Sequence, residues 1–128
     1  MSMVKSVFIA IILCLFCSTF ARSSDSDALV TSPLRFKLLL ENNQVRVLEY
    51  ELKPGEKDSW HVHPPKVSYV AIGGRLRIHL ADGTSFETDE KEGTATWMDD
   101  LPKHYAENIG STPVKIILVE VKAANTKK

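Results

Sequence analysis

The feature that most constrains this chain is a succession of short apolar runs from residue 33 to residue 121, each closed by glycine, proline or aspartate. Arg75 to Leu80 shows the pattern most cleanly. Leu76, Ile78 and Leu80 fall on one face, Arg75, Arg77 and His79 on the other, and Asp82-Gly83 follows as a two-residue hairpin signal. Residues two apart share a face only in extended backbone, so this is a half-buried strand. The same reading gives strands at Gln44–Leu52, Val67–Ile72, Thr84–Thr88, Thr94–Met98, His104–Asn108 and Val114–Val121. Leu34 to Leu40 reads as one turn of helix or an opening strand. No later stretch has a helical period with caps. Many short strands at regular spacing predict an all-β sandwich or barrel.

The first residues are separate from that pattern. Lys5 precedes an almost unbroken apolar run from Val7 to Phe16, and Ser18-Thr19-Phe20-Ala21 supplies small residues before a cleavage point. That is the layout of a secretory signal peptide over residues 1–21. The run is shorter than the ~20 residues that cross a bilayer, so no stable membrane anchor is expected after cleavage. The expected location is secreted or periplasmic. Both cysteines, Cys14 and Cys17, lie in this segment. The rest of the chain has none, so a core or a metal must hold it without disulfides.

About 107 residues follow, enough for one domain. Residues 22–32 are rich in serine and aspartate and read as a flexible leader. Residues 33–122 carry the barrel, and residues 123–128 form a polar tail. The chain has 16 basic and 16 acidic side chains with no charge block, which argues against nucleic acid as a partner.

Three histidines stand out. His61 and His63 are two apart at the start of a strand, so both rings reach one face. An exposed strand can do the same, so the pair alone is weak. His104 begins another strand after Pro102. Three imidazoles meeting inside a barrel suit a borderline divalent ion. The competing reading is a set of buried or surface histidines with no ion. His79 shares a face with Arg75 and Arg77 and is expected to face solvent. Tyr69 is expected to point away from Ser68.

The segments Gly55-x5-His61-Val62-His63 and Gly93-Thr94-Ala95-Thr96-Trp97-Met98-Asp99, followed by His104 and Asn108, resemble the two motifs of the cupin family. Gly74 lies one residue from the first motif's final glycine. The likeness covers nearly all of the chain beyond the signal segment and is similar to small single-domain cupins of the beta-alanine degradation-like group. It implies a single double-stranded β-helix, or jelly-roll, barrel. It also implies a metal bound by His61, His63 and His104, with Ser68, Trp97 and Asn108 around the pocket. Trp60 and Trp97 equally suit barrel packing.

Two departures matter. The family's glutamate ligand falls at Ser68, and its second-motif proline and glycine fall at Asp99 and Leu101. Serine leaves a neutral three-histidine set with open positions, similar to that of the thiol dioxygenases. Asp99, Asp100 or Glu107 would replace the carboxylate only if a loop folds inward. The resemblance therefore implies a cupin holding a divalent ion (iron, zinc, manganese, copper or nickel) and acting as a dioxygenase-like oxidoreductase on a small organic substrate. The alternative is a non-catalytic protein that captures a metal or small ligand. A homodimer is also expected from the resemblance, with Val114–Val121 as a suitable edge.

Overall fold

The computed structural model describes residues 24–123; the segment 1–21 expected to be a signal peptide, and most of the expected polar tail, lie outside the described residues. Eight strands follow one short helix, α1 (Ala28–Thr31). They are β1 (Phe36–Glu41), β2 (Val45–Leu52), β3 (Lys66–Ile72), β4 (Gly74–Leu80), β5 (Ser85–Glu90), β6 (Ala95–Met98), β7 (His104–Asn108) and β8 (Val114–Val121). Two antiparallel sheets form, in the orders β1-β2-β8-β3-β6 and β5-β4-β7. They face one another across a shared interior, as the alternating pattern predicts for a sandwich-like barrel.

Alternation sets what each strand sends inward. On β8, Val114, Ile116, Leu118 and Glu120 are buried while the residues between them are half-covered. On β2, Leu48, Tyr50 and Leu52 do the same. All of these except Glu120 join Phe36, Leu76 and Ala106 in one core. The β4–β5 hairpin turns at Gly83, whose φ of 88° is a left-handed conformation that glycine adopts without strain. Asp82 stabilises the turn by accepting from the Thr84 amide at 2.8 Å. Gly73 is required for another reason: a Cβ there would lie 2.5 Å from the Glu90 carbonyl oxygen.

One open alternative resolves and two expectations change. Leu34 to Leu40 opens as a strand, because Phe36 to Glu41 pairs with β2. The 22–32 leader, from residue 24 onward, is built into the fold. Asp27 caps α1 by accepting from the Leu29 amide at 3.0 Å, Ala28 is fully buried, and the Val62 amide donates to Ser26. Serine and aspartate looked like solvated chain, but here they act as caps and pairing partners. Finally, β8 is central, between β2 and β3; the sheet edges are β1 and β6. Both sides of β8 are already hydrogen-bonded, so it cannot serve as an intersubunit edge.

Candidate metal centre

Backbone pairing brings the ligand segments together. His61 and His104 form an antiparallel bridge, the His61 amide donating to the His104 carbonyl at 2.8 Å and the reverse bond measuring 3.0 Å. Residues paired this way send their side chains to the same face. His63, two positions on from His61, joins them, while Val62 between them pairs with Asp27 on the other side. One ring nitrogen from each histidine lies within 4.8 Å of the other two. All three rings are buried.

Each ring is oriented by a bond to its Nδ1. His61 Nδ1 meets the Ser59 carbonyl at 2.6 Å and His104 Nδ1 the Pro102 carbonyl at 2.8 Å. His63 Nδ1 meets the Glu120 carboxylate at 2.5 Å. Carbonyl and carboxylate oxygens only accept, so each Nδ1 carries the proton and each Nε2 keeps a free lone pair. This donor arrangement is the one that metal-binding histidines use. Burial pushes His63 and His104 down to about 4, and it lowers His61 in the same direction. All three are therefore neutral near pH 7, as a ligand must be. The residues present fit a divalent ion.

Glu120 extends outward from the site. Its other carboxylate oxygen accepts from Arg46 Nε at 2.6 Å, and Arg46 also pairs with Asp27 at 2.7 Å. Burial alone would raise the Glu120 carboxyl, but the bonds from His63 and Arg46 outweigh it and hold its pKa below the ordinary value. Phe36 meets His61 and His63 edge-on, with centroids 5.2 and 5.5 Å away. Sequence reading missed both Glu120 and Lys66. Each had a signal: Glu120 continues the inward phase of Val114, Ile116 and Leu118, and Lys66 that of Ser68 and Val70.

The histidines line a cavity of about 320 Å³ between the sheets. Val70, Leu76, Ile78, Ile116 and Leu118 give it an apolar wall, and Ser68, Lys66 and Asp58 are among its polar groups. Ser68 faces inward, as expected, and its hydroxyl contacts the Met98 sulfur at 3.4 Å. Tyr69 is exposed on the opposite face, also as expected. Asp58 accepts from Tyr50 Oη at 2.8 Å and from the Ala106 amide at 2.7 Å, and burial still raises it to about 6.

Two expected pocket residues are corrected. Thr96 and Met98 line the cavity, so Trp97 between them points outward; it is 53% exposed and donates to Asp99. Asn108 is buried but spans backbone: its Nδ2 donates to the Leu52 and Thr112 carbonyls, and its Oδ1 accepts from the Gly110 amide. It holds a turn and does not line the cavity. Asp99, Asp100 and Glu107 do not line it either; Glu107 faces His79 and Lys57. His79 lies on the outer face, as expected, but is half-covered, stacking on Tyr105 at 4.3 Å. Arg75 and Arg77 form exposed pairs with Glu87, and Trp60 is half-exposed against Tyr105.

The two facing sheets make a double-stranded β-helix barrel, the fold of cupin domains, with three convergent histidines inside it. Among solved structures, the chain is similar to a cupin domain from Bordetella pertussis Tohama I, at 24% identity and TM-score 0.63, over 69% of this chain and 92% of that one. It is also similar to an uncharacterized conserved protein with a double-stranded β-helix domain from Klebsiella pneumoniae, at 26% identity and TM-score 0.55, over 70% and 76%. An RmlC-like cupin family protein from Methanocaldococcus jannaschii matches at 21% identity and TM-score 0.55, over 67% and 77%. No family model matches the sequence, and no curated protein does. These likenesses establish the double-stranded β-helix fold and leave the chemistry to the residues themselves.

Proposed function

We propose that this protein binds a divalent metal through Nε2 of His61, His63 and His104 and acts on a small organic substrate in the adjoining cavity, with dioxygenase-like chemistry. The observation that carries this reading is that all three buried rings have Nδ1 committed to an acceptor and Nε2 free. Three neutral ligands would leave several coordination positions open, and an iron(II) ion held by them would supply the redox chemistry that dioxygenase-like turnover needs. The protein's own residues do the rest. Phe36 and the apolar wall exclude water, the backbone bridge fixes His61 against His104, and Glu120 orients His63.

Reactions that need a protein base are less well served beside the histidines. Asp58 sits 3.7 Å from His61 Nδ1, but both its oxygens already accept hydrogen bonds. Residues 1–21 are further proposed to direct export, on their charge and hydropathy pattern.

The test is oxygen uptake by protein reconstituted anaerobically with iron(II), across a panel of small acids, amino acids and thiols. Uptake that needs both iron and one substrate class, and that disappears in His104→Ala, supports the reading. A stoichiometrically loaded protein that consumes no oxygen with any of them overturns the catalytic part and leaves metal capture.

A further inference from the structure

Lys66 lines the cavity and, among the described residues, has neither an ion pair nor a side-chain hydrogen bond. It is 4% exposed, at the start of β3, and its side chain enters the cavity that the histidines line. The residue directly opposite it on β8 is Glu120. That carboxylate is already shared: one oxygen takes His63 Nδ1 at 2.5 Å and the other Arg46 Nε at 2.6 Å. Among the described residues, Lys66 Nζ has no hydrogen bond, and no carboxylate lies within 4 Å of it; its favourable interactions with Glu120 and Asp100 are purely through-space. Its Nζ opens onto the cavity, where an ammonium with little water and no close counter-ion is costly.

The neighbouring site has the complementary need. Histidines contribute no charge, so a dication held by His61, His63 and His104 keeps its full charge where a glutamate ligand would have offset part of it. Ser68, on the same inward phase of β3, is neutral. Two positive centres would then face one water-poor space. Val70, Leu76, Ile78, Ile116 and Leu118 give that space an apolar side, while its carboxylates are already engaged: Asp58 by Tyr50 and the Ala106 amide, Asp89 by Arg75 at 3.2 Å and Glu90 by the Thr88 hydroxyl at 2.6 Å.

We propose that Lys66 is the counter-charge for an anionic substrate, and that this substrate is a small carboxylic acid with a short apolar tail. Its carboxylate pairs with Lys66 Nζ at the histidine end of the cavity, and its tail lies against the β3, β4 and β8 side chains. The proposal deepens the metal-dependent reading above and takes the substrate class from residues outside the metal ligands. Lys66 binds the substrate and is not a metal ligand.

The experiment uses calorimetric titration of the protein, metal-free and manganese-loaded, with butyrate and benzoate and with their neutral amides, butyramide and benzamide. The wild type is expected to prefer each acid over its amide by about tenfold or more, the size of one charge-assisted hydrogen bond. Lys66→Met keeps the volume and removes a buried charge, so it folds, and it loses that preference. Lys66→Arg restores a cation and regains part of it. Equal binding of acid and amide by the wild type, no detectable binding of either acid, or an undiminished preference in Lys66→Met overturns the proposal. Manganese content is measured separately. Failure to load the ion would count against the metal site alone, because the acid-to-amide comparison is also read in the metal-free protein.

Discussion

Glu120 Oε1 lies 2.5 Å from His63 Nδ1, and its second oxygen is held by Arg46, so one buried carboxylate both orients a candidate ligand and ties it to the N-terminal strap at Asp27. Removing such a partner typically lowers metal affinity by 10- to 100-fold. Glu120→Gln is therefore expected to weaken zinc binding by about that factor, measured by competition with a chromophoric chelator. His61→Ala, which removes a ligand outright, gives the scale for complete loss. An affinity for Glu120→Gln within about twofold of the parent would mean that the Glu120 bond does not tune the site.

The strap itself carries stability. Asp27 caps α1 and makes a two-bond pair with Arg46, whose side chain is only 14% exposed. Asp27→Ala loses both, at about 1 kcal/mol for the cap and a further ~1 kcal/mol for a half-buried, charge-assisted pair. Denaturant unfolding should show a loss of about 2 kcal/mol in the metal-free protein. A change below about 0.5 kcal/mol would show that the Asp27 cap and its pair with Arg46 do not stabilise the fold.

Acid stability follows from the histidines. In the folded state His63 and His104 have pKa values near 4, below their ordinary 6.5, so between these values the unfolded chain binds more protons. Their contribution is complete above pH 6.5 and is lost as pH falls to about 4. Asp58, raised from 3.8 to about 6, acts in the opposite sense and gains stability as pH falls through that range. Two groups outweigh one, and His61 and Glu120 shift in the same direction as the two. The melting temperature of metal-free protein should therefore fall between pH 6.5 and pH 4. A flat or rising profile would contradict the buried, neutral state of the ring set.

Most of the barrel was legible from sequence because alternation is a direct consequence of strand geometry. Arg75 to Leu80, His104 to Asn108 and Val114 to Val121 formed strands within a residue of expectation. The three histidines were legible for the same reason, together with their likeness to cupin motifs. What was hidden depended on tertiary context. Lys66 and Glu120 occupy inward positions with side chains that are usually exposed, so type and phase pointed in opposite directions. Trp97 was misplaced by its residue type although its phase, between Thr96 and Met98, put it outside. The order of the strands, and hence the central place of β8, depends on pairings distant in sequence that no local pattern encodes.

The central claim is that three neutral imidazoles hold one divalent ion, and metal content tests it most directly. Residues 22–128, purified without a histidine tag or chelator, would be analysed for metals as isolated and after adding back iron(II), zinc, manganese, copper and nickel in turn, beside His104→Ala. The account predicts close to one ion per chain for at least one metal, lost in His104→Ala while the variant remains folded by circular dichroism. A parent protein that binds none of the five, or a variant that retains the parent's stoichiometry, would contradict it.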